Sequence, residues 1–218
     1  NFIKGNGQTD ISVINHEADS LQSLINSCAD DSCRFRILSS HFWRFADYDL
    51  ERVRRIGEKA FESVRHTNNL RLLSDGYDLK GVIFEKDKEY DSAIVFFKKA
   101  LDLSQKTGYV ERTRWCYYHF GIILWAKGNA DSALYYYRIL NRDHVDIAGS
   151  PSEFMVIRQM AYLFDDHYQI SDSAEKYFNK MLLISRRVGD AQSELESHIN
   201  LMNFYYKTNQ QRNLAVNC

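Results

Sequence analysis

Apolar residues recur along this chain at helical spacing, and the pattern repeats on a longer scale. Ala93, Ala133 and Ala174 lie 40 and 41 residues apart, each closing an Asp-Ser-Ala triplet. Each is followed four residues on by an aromatic: Phe97, Tyr137 or Phe178. Upstream of the triplets a second pattern recurs, as Tyr77-x-x-Lys80-Gly81-x-x-Phe84, Tyr117-x-x-Phe120-Gly121-x-x-Leu124 and Ile157-x-x-Met160-Ala161-x-x-Phe164. Self-similarity at such a period marks an array of one helical hairpin. The register predicts first helices at 74–87, 111–127 and 153–167, and second helices at 90–106, 131–142 and 171–187. Small residues at 81 and 121 let the two helices of a hairpin approach closely. Asp91, Asp131 and Asp172 are placed as N-caps, where a carboxylate meets free backbone N–H groups and the helix dipole.

Two further units are degenerate. Phe35-x-x-Leu38-Ser39-x-x-Phe42 fits the first-helix pattern. Its second helix, about 49–66, carries Glu51 and Arg55 where alanine and an aromatic are expected. Leu201, Met202 and Tyr205 fit a fifth first helix, and Asn213-Leu214 falls where the next triplet would stand. The last hairpin is therefore expected to be incomplete at Cys218. Residues 10–27 read as an N-terminal helix and 1–9 as a flexible lead. The expected organisation is a single array over 10–218, with hairpins near 32–66, 74–106, 111–142 and 153–187 and a partial unit over 191–218.

These residues resemble the tetratricopeptide repeat over about 32–215, with Gly81 and Gly121 at the family's glycine and Ala93, Ala133 and Ala174 at its alanine. The period of 40 or 41 exceeds the family's 34, which implies longer helices or longer turns. The family's terminal proline is missing, since Pro151 is the only proline and opens a later helix. The resemblance implies an all-α, right-handed superhelical solenoid of about four or five hairpins that binds a protein or peptide segment, with no catalysis and no cofactor. Long repeats of this kind look like those of bacterial peptide-sensing regulators and of sensor proteins from Bacteroides-like bacteria, where the array precedes a membrane helix and a DNA-binding module. On that likeness the chain is the sensory part of a larger signalling protein at the cell envelope or in the periplasm. The alternative is a structural or assembly lipoprotein of the envelope.

Composition changes the picture in three places. Lys plus Arg is 28 against Asp plus Glu 29, a balance that argues against direct nucleic-acid binding. No apolar run approaches the roughly 20 residues of a membrane span. The chain begins at Asn1 without a methionine, so its natural start is expected upstream. Cys28 and Cys33 flank Ala29-Asp30-Asp31-Ser32. They either bridge in an oxidising compartment or, the preferred reading, remain free thiols at a helix boundary. Cys116 is assigned to the core.

Catalytic signatures are not found: no phosphate-cradling Gly-rich loop, no Gly-x-Ser-x-Gly and no His-Glu-x-x-His occurs. Asp143-His144-Val145-Asp146 and Asp165-Asp166-His167 have metal-like composition but fall in turns, where polar clusters are ordinary. No metal site is assigned. Arg52, Arg54, Arg55 and Lys59 alternate with Glu51, Glu58 and Glu62 and read as a solvated face laced with ion pairs.

In an array of hairpins the first helices line the concave surface. The face opposite their packing positions gives the candidate groove. It runs through Arg36, Ser40, Trp43 and Arg44, then Asp75, Asp78, Val82 and Glu85, then Tyr118, Ile122 and Trp125. It continues through Arg158, Tyr162 and Asp165 to Asn203 and Tyr206. Trp43 and Trp125 hold the same place in their repeats, which suggests a surface for something apolar or extended. Replacing Trp125 with alanine is expected to weaken binding and leave the thermal midpoint nearly unchanged. The arginines would hold carboxylates of a peptide, and Asp75, Asp78 and Glu85 its basic groups.

Overall fold

The computed structural model describes residues 21–46, 49–142 and 151–216. The expected lead at 1–9, most of the expected N-terminal helix and the Asp143–Asp146 cluster lie outside them. Among the described residues the chain is all α, with helical backbone at 21–26 followed by nine helices. They are α1 (Asp31–Phe45), α2 (Leu50–Val64), α3 (Leu70–Lys86), α4 (Tyr90–Lys106), α5 (Val110–Ala126), α6 (Ala130–Arg142), α7 (Pro151–Tyr162), α8 (Ser171–Val188) and α9 (Ala191–Val216). A π-helical turn, Leu163–His167, continues α7. Two compact units divide the chain, Asn1–Thr113 and Arg114–Cys218.

The first unit is built from the pairs α1/α2 and α3/α4. In α3/α4 the aromatic four residues after the triplet alanine lies on the small residue of the first helix. A Cβ at Gly81 would meet Phe97 Cε1 at 2.6 Å, so glycine alone admits the ring. Ala93, Phe97 and Ala100 are buried on α4, opposite Leu79, Val82 and Ile83 on α3. Ser74 Oγ donates to the Ala100 carbonyl at 2.8 Å and ties the two helices at a buried point. The α1/α2 pair inverts the arrangement. Here the ring, Phe42, is on the first helix, and the glycine, Gly57, is on the second, 2.9 Å from Phe42 Cε2 had it a Cβ. That inversion explains why Glu51 and Arg55 break the expected pattern: their helix presents its small residue and receives the ring.

The second unit repeats the first arrangement. On α5 Gly121 lies under Tyr137 of α6, whose Cζ would be 2.7 Å from an added Cβ. Ala161 of α7 and Phe178 of α8 hold the same places, both buried in one core with Ile157, Met160, Leu163, Met181, Ile184, Leu201 and Phe204. Burying each such ring is worth roughly 2–3 kcal/mol.

Helix ends depart from expectation in an instructive way. Asp91, Asp131 and Asp172 are not caps. Their helices begin one residue earlier, so each Asp is the second helical residue, inside the first turn. The carboxylate still meets the positive end of the dipole, and Asp131 also accepts a hydrogen bond from the Tyr168 hydroxyl at 2.5 Å. Side-chain capping is done elsewhere, by Asp30, Asp49, Asn69, Asn129 and Asp190, each accepting from the N–H three residues on. At the other end, α3 and α5 close with paired bonds around a left-handed residue. Lys88 (φ 61°) and Gly128 (φ 81°) take that role, with Glu89 N donating to Phe84 O and Asn129 N to Leu124 O.

The change of spacing from 40 to 41 has a local cause. Gly81 to Ala93 and Gly121 to Ala133 are each 12 residues, whereas Ala161 to Ala174 is 13. The extra residue falls where the backbone widens into the π-helical turn Leu163–His167, the form a one-residue insertion takes inside a helix. The closing bond lengthens with it, as Ile170 N reaches back to Phe164 O.

Two further readings are corrected. Cys28 and Cys33 are joined as a disulfide with Cα atoms 5.5 Å apart, against the preferred free-thiol reading. And α9 does not turn near Asn213: it continues as one helix to Val216, so no second helix of a fifth hairpin begins there.

The buried seat makes a direct prediction. Gly121→Leu should lose about 3 kcal/mol or more in chemical denaturation, because no rotamer avoids the Tyr137 ring. Retention of wild-type stability would show that the hairpin register is wrong.

Candidate functional site

First helices carry the candidate face, and within the first unit α1 and α3 frame an open cleft of about 620 Å³. Arg36, Ser40 and Trp43 line it from α1, at spacings that put all three on one side of the helix. Leu72 and Asp75 line it from α3. Asp30 and Cys33 close one end, so the cap of α1 and the disulfide are part of the wall. Trp43 is 39% exposed, and its ring meets Phe42 edge to face at 5.1 Å. The guanidinium of Arg36 is exposed and makes no ion pair among the described residues.

Opposite stands a carboxylate pair of different character. Arg112 Nε donates to Asp75 Oδ1 at 2.8 Å, and Arg112 Nη1 pairs with Asp78. Asp78 is fully buried, so it holds Arg112 and is removed from the open face assigned to it above. Asp75 is largely buried too. Burial pushes its carboxyl above the ordinary carboxylate range and outweighs the opposing pull of Arg112 and of the Tyr109 hydroxyl. The cleft thus has an exposed guanidinium on one wall and an ion-paired carboxylate on the other.

The remaining candidates of this unit divide by burial. Arg44 is exposed, its guanidinium 5.5 Å from the Phe45 ring centre. Glu85 is half-buried, and Val82 is core.

In the second unit the candidate residues are mostly committed to one another's neighbours. Tyr118 is buried, contrary to its assignment to an open face, and its hydroxyl accepts from Gln159 Nε2 at 3.2 Å. Ile122 and Trp125 are half-buried and pack against the core, so Trp125→Ala should cost stability, contrary to the unchanged midpoint expected from an open face. Arg158 donates to Glu196 at 3.1 Å and lies 6.0 Å from the Phe154 ring centre. Tyr162 is half-buried, with its hydroxyl pushed above its ordinary value by burial and by the Glu196 charge. Asp165 accepts from Lys207 at 3.1 Å, which also reaches Asp166 at 3.4 Å. Asn203 and Tyr206 are exposed on α9.

These pairs share a spacing that sequence reasoning passed over. Asp75 and Arg112 are 37 residues apart, Arg158 and Glu196 38, Asp165 and Lys207 42. Opposite charges one repeat apart sit side by side on successive first helices. The chain carries this signal in its charged residues, apart from the apolar repeat that sets the register. Asp30, Cys33 and Leu72 enter the cleft from helix ends, where the repeat register carries no information.

Among the described residues no group of three or more His, Cys, Asp and Glu side chains is placed to hold a metal, and no helix is long and apolar enough to cross a membrane.

Paired helices seated ring on small residue at this spacing define a helical-repeat scaffold. Residues 72–138 match the tetratricopeptide repeat model, and the described residues form an all-α array of paired helices. No curated protein matches it in sequence. It is similar in structure to BtubC (BKLC) from P. vanneervenii, at TM-score 0.61 and 17% identity over 91% of this chain and 78% of that one. It is also similar to aspartyl phosphate phosphatase F from Bacillus subtilis, at TM-score 0.72 and 16% identity over 92% of this chain. The chain spans about half, 52%, of that phosphatase. At these identities the likeness is one of fold.

The buried ion pair yields a prediction. Arg112→Met leaves Asp78 buried without its counter-charge and should destabilise the chain by about 3–5 kcal/mol in urea unfolding. A loss under about 1 kcal/mol would mean that Asp78 is solvated and the pair is incidental.

Proposed function

We propose that this chain is a non-catalytic binding module that takes a short peptide segment in the cleft between α1 and α3, as the sensory or interaction part of a larger bacterial signalling protein. The observation that carries the reading is the cleft itself: an exposed tryptophan, an arginine without an ionic partner among the described residues and an ion-paired carboxylate on facing helices. An aromatic anchor flanked by a cation suits an extended peptide with an acidic group near an apolar side chain. The charge accounting favours binding over catalysis. Asp75, Asp78, Arg112, Arg158 and Asp165 are held in ion pairs, which leaves them poorly disposed to move protons. The Bacillus neighbour is named as a phosphatase, and that activity is not carried over. A disulfide between Cys28 and Cys33 suits an oxidising compartment and supports placement at the cell envelope or in the periplasm.

An assembly role, with the array docked on a neighbouring protein, has one observation in its favour. Leu195, Ile199, Met202 and Tyr206 lie on one exposed stripe of α9.

Panning a random heptapeptide display library against the whole chain separates the two readings. The peptide reading expects enriched sequences whose affinity falls about tenfold or more in Trp43→Ala and in Arg36→Ala. Both variants should keep their thermal midpoints within a few degrees, since both residues are exposed. Enriched peptides that bind both variants as tightly as the wild type would overturn the assignment of the cleft.

A further inference from the structure

The charges on α2 do not form the evenly laced face that their order suggests. Glu58 pairs with Lys80 of α3, Glu62 with Arg65 at 2.9 Å, and Arg54 turns to Asp87 at 2.6 Å. These pairs engage Glu58 and Glu62 with residues other than Arg55 and Lys59. Arg52, Arg55 and Lys59 line a common side of the helix, three and four residues apart, where like charges one turn from each other repel. Arg55 and Lys59 are exposed and have no carboxylate partner among the described residues. Arg52 is fixed differently, its guanidinium 4.0 Å over the Phe45 ring centre.

These cations border a hollow whose floor is apolar. Ile25 from the stretch at 21–26, Leu38 of α1 and Ile56 of α2 line a space of about 210 Å³ beneath them. Leu38 and Ile56 are only 3% and 4% exposed, so the floor is continuous with the core. The space is smaller than the roughly 300–1,000 Å³ of a drug-sized ligand site. Three positive side chains around an apolar hollow match a molecule with one anionic head and a short apolar tail. The head would neutralise the repulsion on α2, and the tail would displace water from the floor. None of this face belongs to the first-helix cleft.

We propose that the Arg52–Arg55–Lys59 face of α2 is a second binding site, for a carboxylate carrying a short apolar tail. Either a free short-chain organic acid or the C-terminal carboxylate of an apolar peptide has that chemistry.

The test is a methyl-detected NMR titration of the whole chain with octanoate and with N-acetyl-leucyl-leucine, and with octanol, acetate and inorganic phosphate as controls. Saturable shifts of the Ile25, Leu38 and Ile56 methyls are expected with octanoate, with the dipeptide or with both, and the stronger of the two identifies the source. Octanol, acetate and phosphate should each bind about tenfold or more weakly, lacking charge or tail. Arg55→Gln combined with Lys59→Gln should weaken the preferred acid about tenfold or more at an unchanged thermal midpoint. The proposal is overturned if neither acid shifts these methyls, if a control binds as well as the acids, or if the double variant binds like the wild type. Its failure leaves the cleft between α1 and α3 untouched, because that site is read through Trp43 and Arg36.

Discussion

An aromatic ring resting on a residue with almost no side chain is the contact from which the rest of this structure follows. Phe97 over Gly81 and Tyr137 over Gly121 bring paired helices so close that a single Cβ would collide. Phe178 and Ala161 hold the same relation in the next hairpin, and Phe42 with Gly57 reverses it in the first. The ring fixes which way each first helix is rotated about its axis. Once that rotation is set, the residues turned away from the seat are set too, and these are the ones left to meet a neighbour or a ligand. The π-helical turn after α7 shows how strictly the seat is kept: an extra residue is absorbed in the backbone, and Phe178 stays in the core.

The turned-away face serves two purposes. In the second unit its charges are joined across one repeat, Arg158 with Glu196 and Asp165 with Lys207, which couples successive first helices. The first unit also uses this device, through Arg112 and the pair Asp75 and Asp78, while Arg36 and Trp43 line the other wall of the cleft. Partly exposed pairs contribute little each to stability, and their larger effect here is to decide which charges of this face are already engaged.

Much of the fold was legible because packing constrains sequence most where space is shortest. Gly81, Gly121 and the aromatics twelve or more residues on state the helix crossing directly, and the expected helix at 111–127 is observed at Val110–Ala126. Helix ends were less legible. An aspartate is favourable both as a cap and within the first turn, so the triplet located each second helix but misplaced its first residue, and Asn129 does the capping that Asp131 was given. The continuous run of α9 to Val216 was not foreseen because the repeat register speaks of equivalent positions and carries no turn signal of its own at Asn213. Of the candidate face, Arg36 and Trp43 fall together, while Asp78 and Tyr118 are buried. Their burial depends on partners 34 and 41 residues away, which a single helix wheel does not reveal.

Hydrogen exchange of the whole chain, alone and saturated with the tightest peptide from the display library, tests the central claim most directly. The account predicts slowed exchange confined to α1 and α3, with α2 and α4 unchanged. Protection that fell on α2 and α4 and spared α1 and α3 would contradict it.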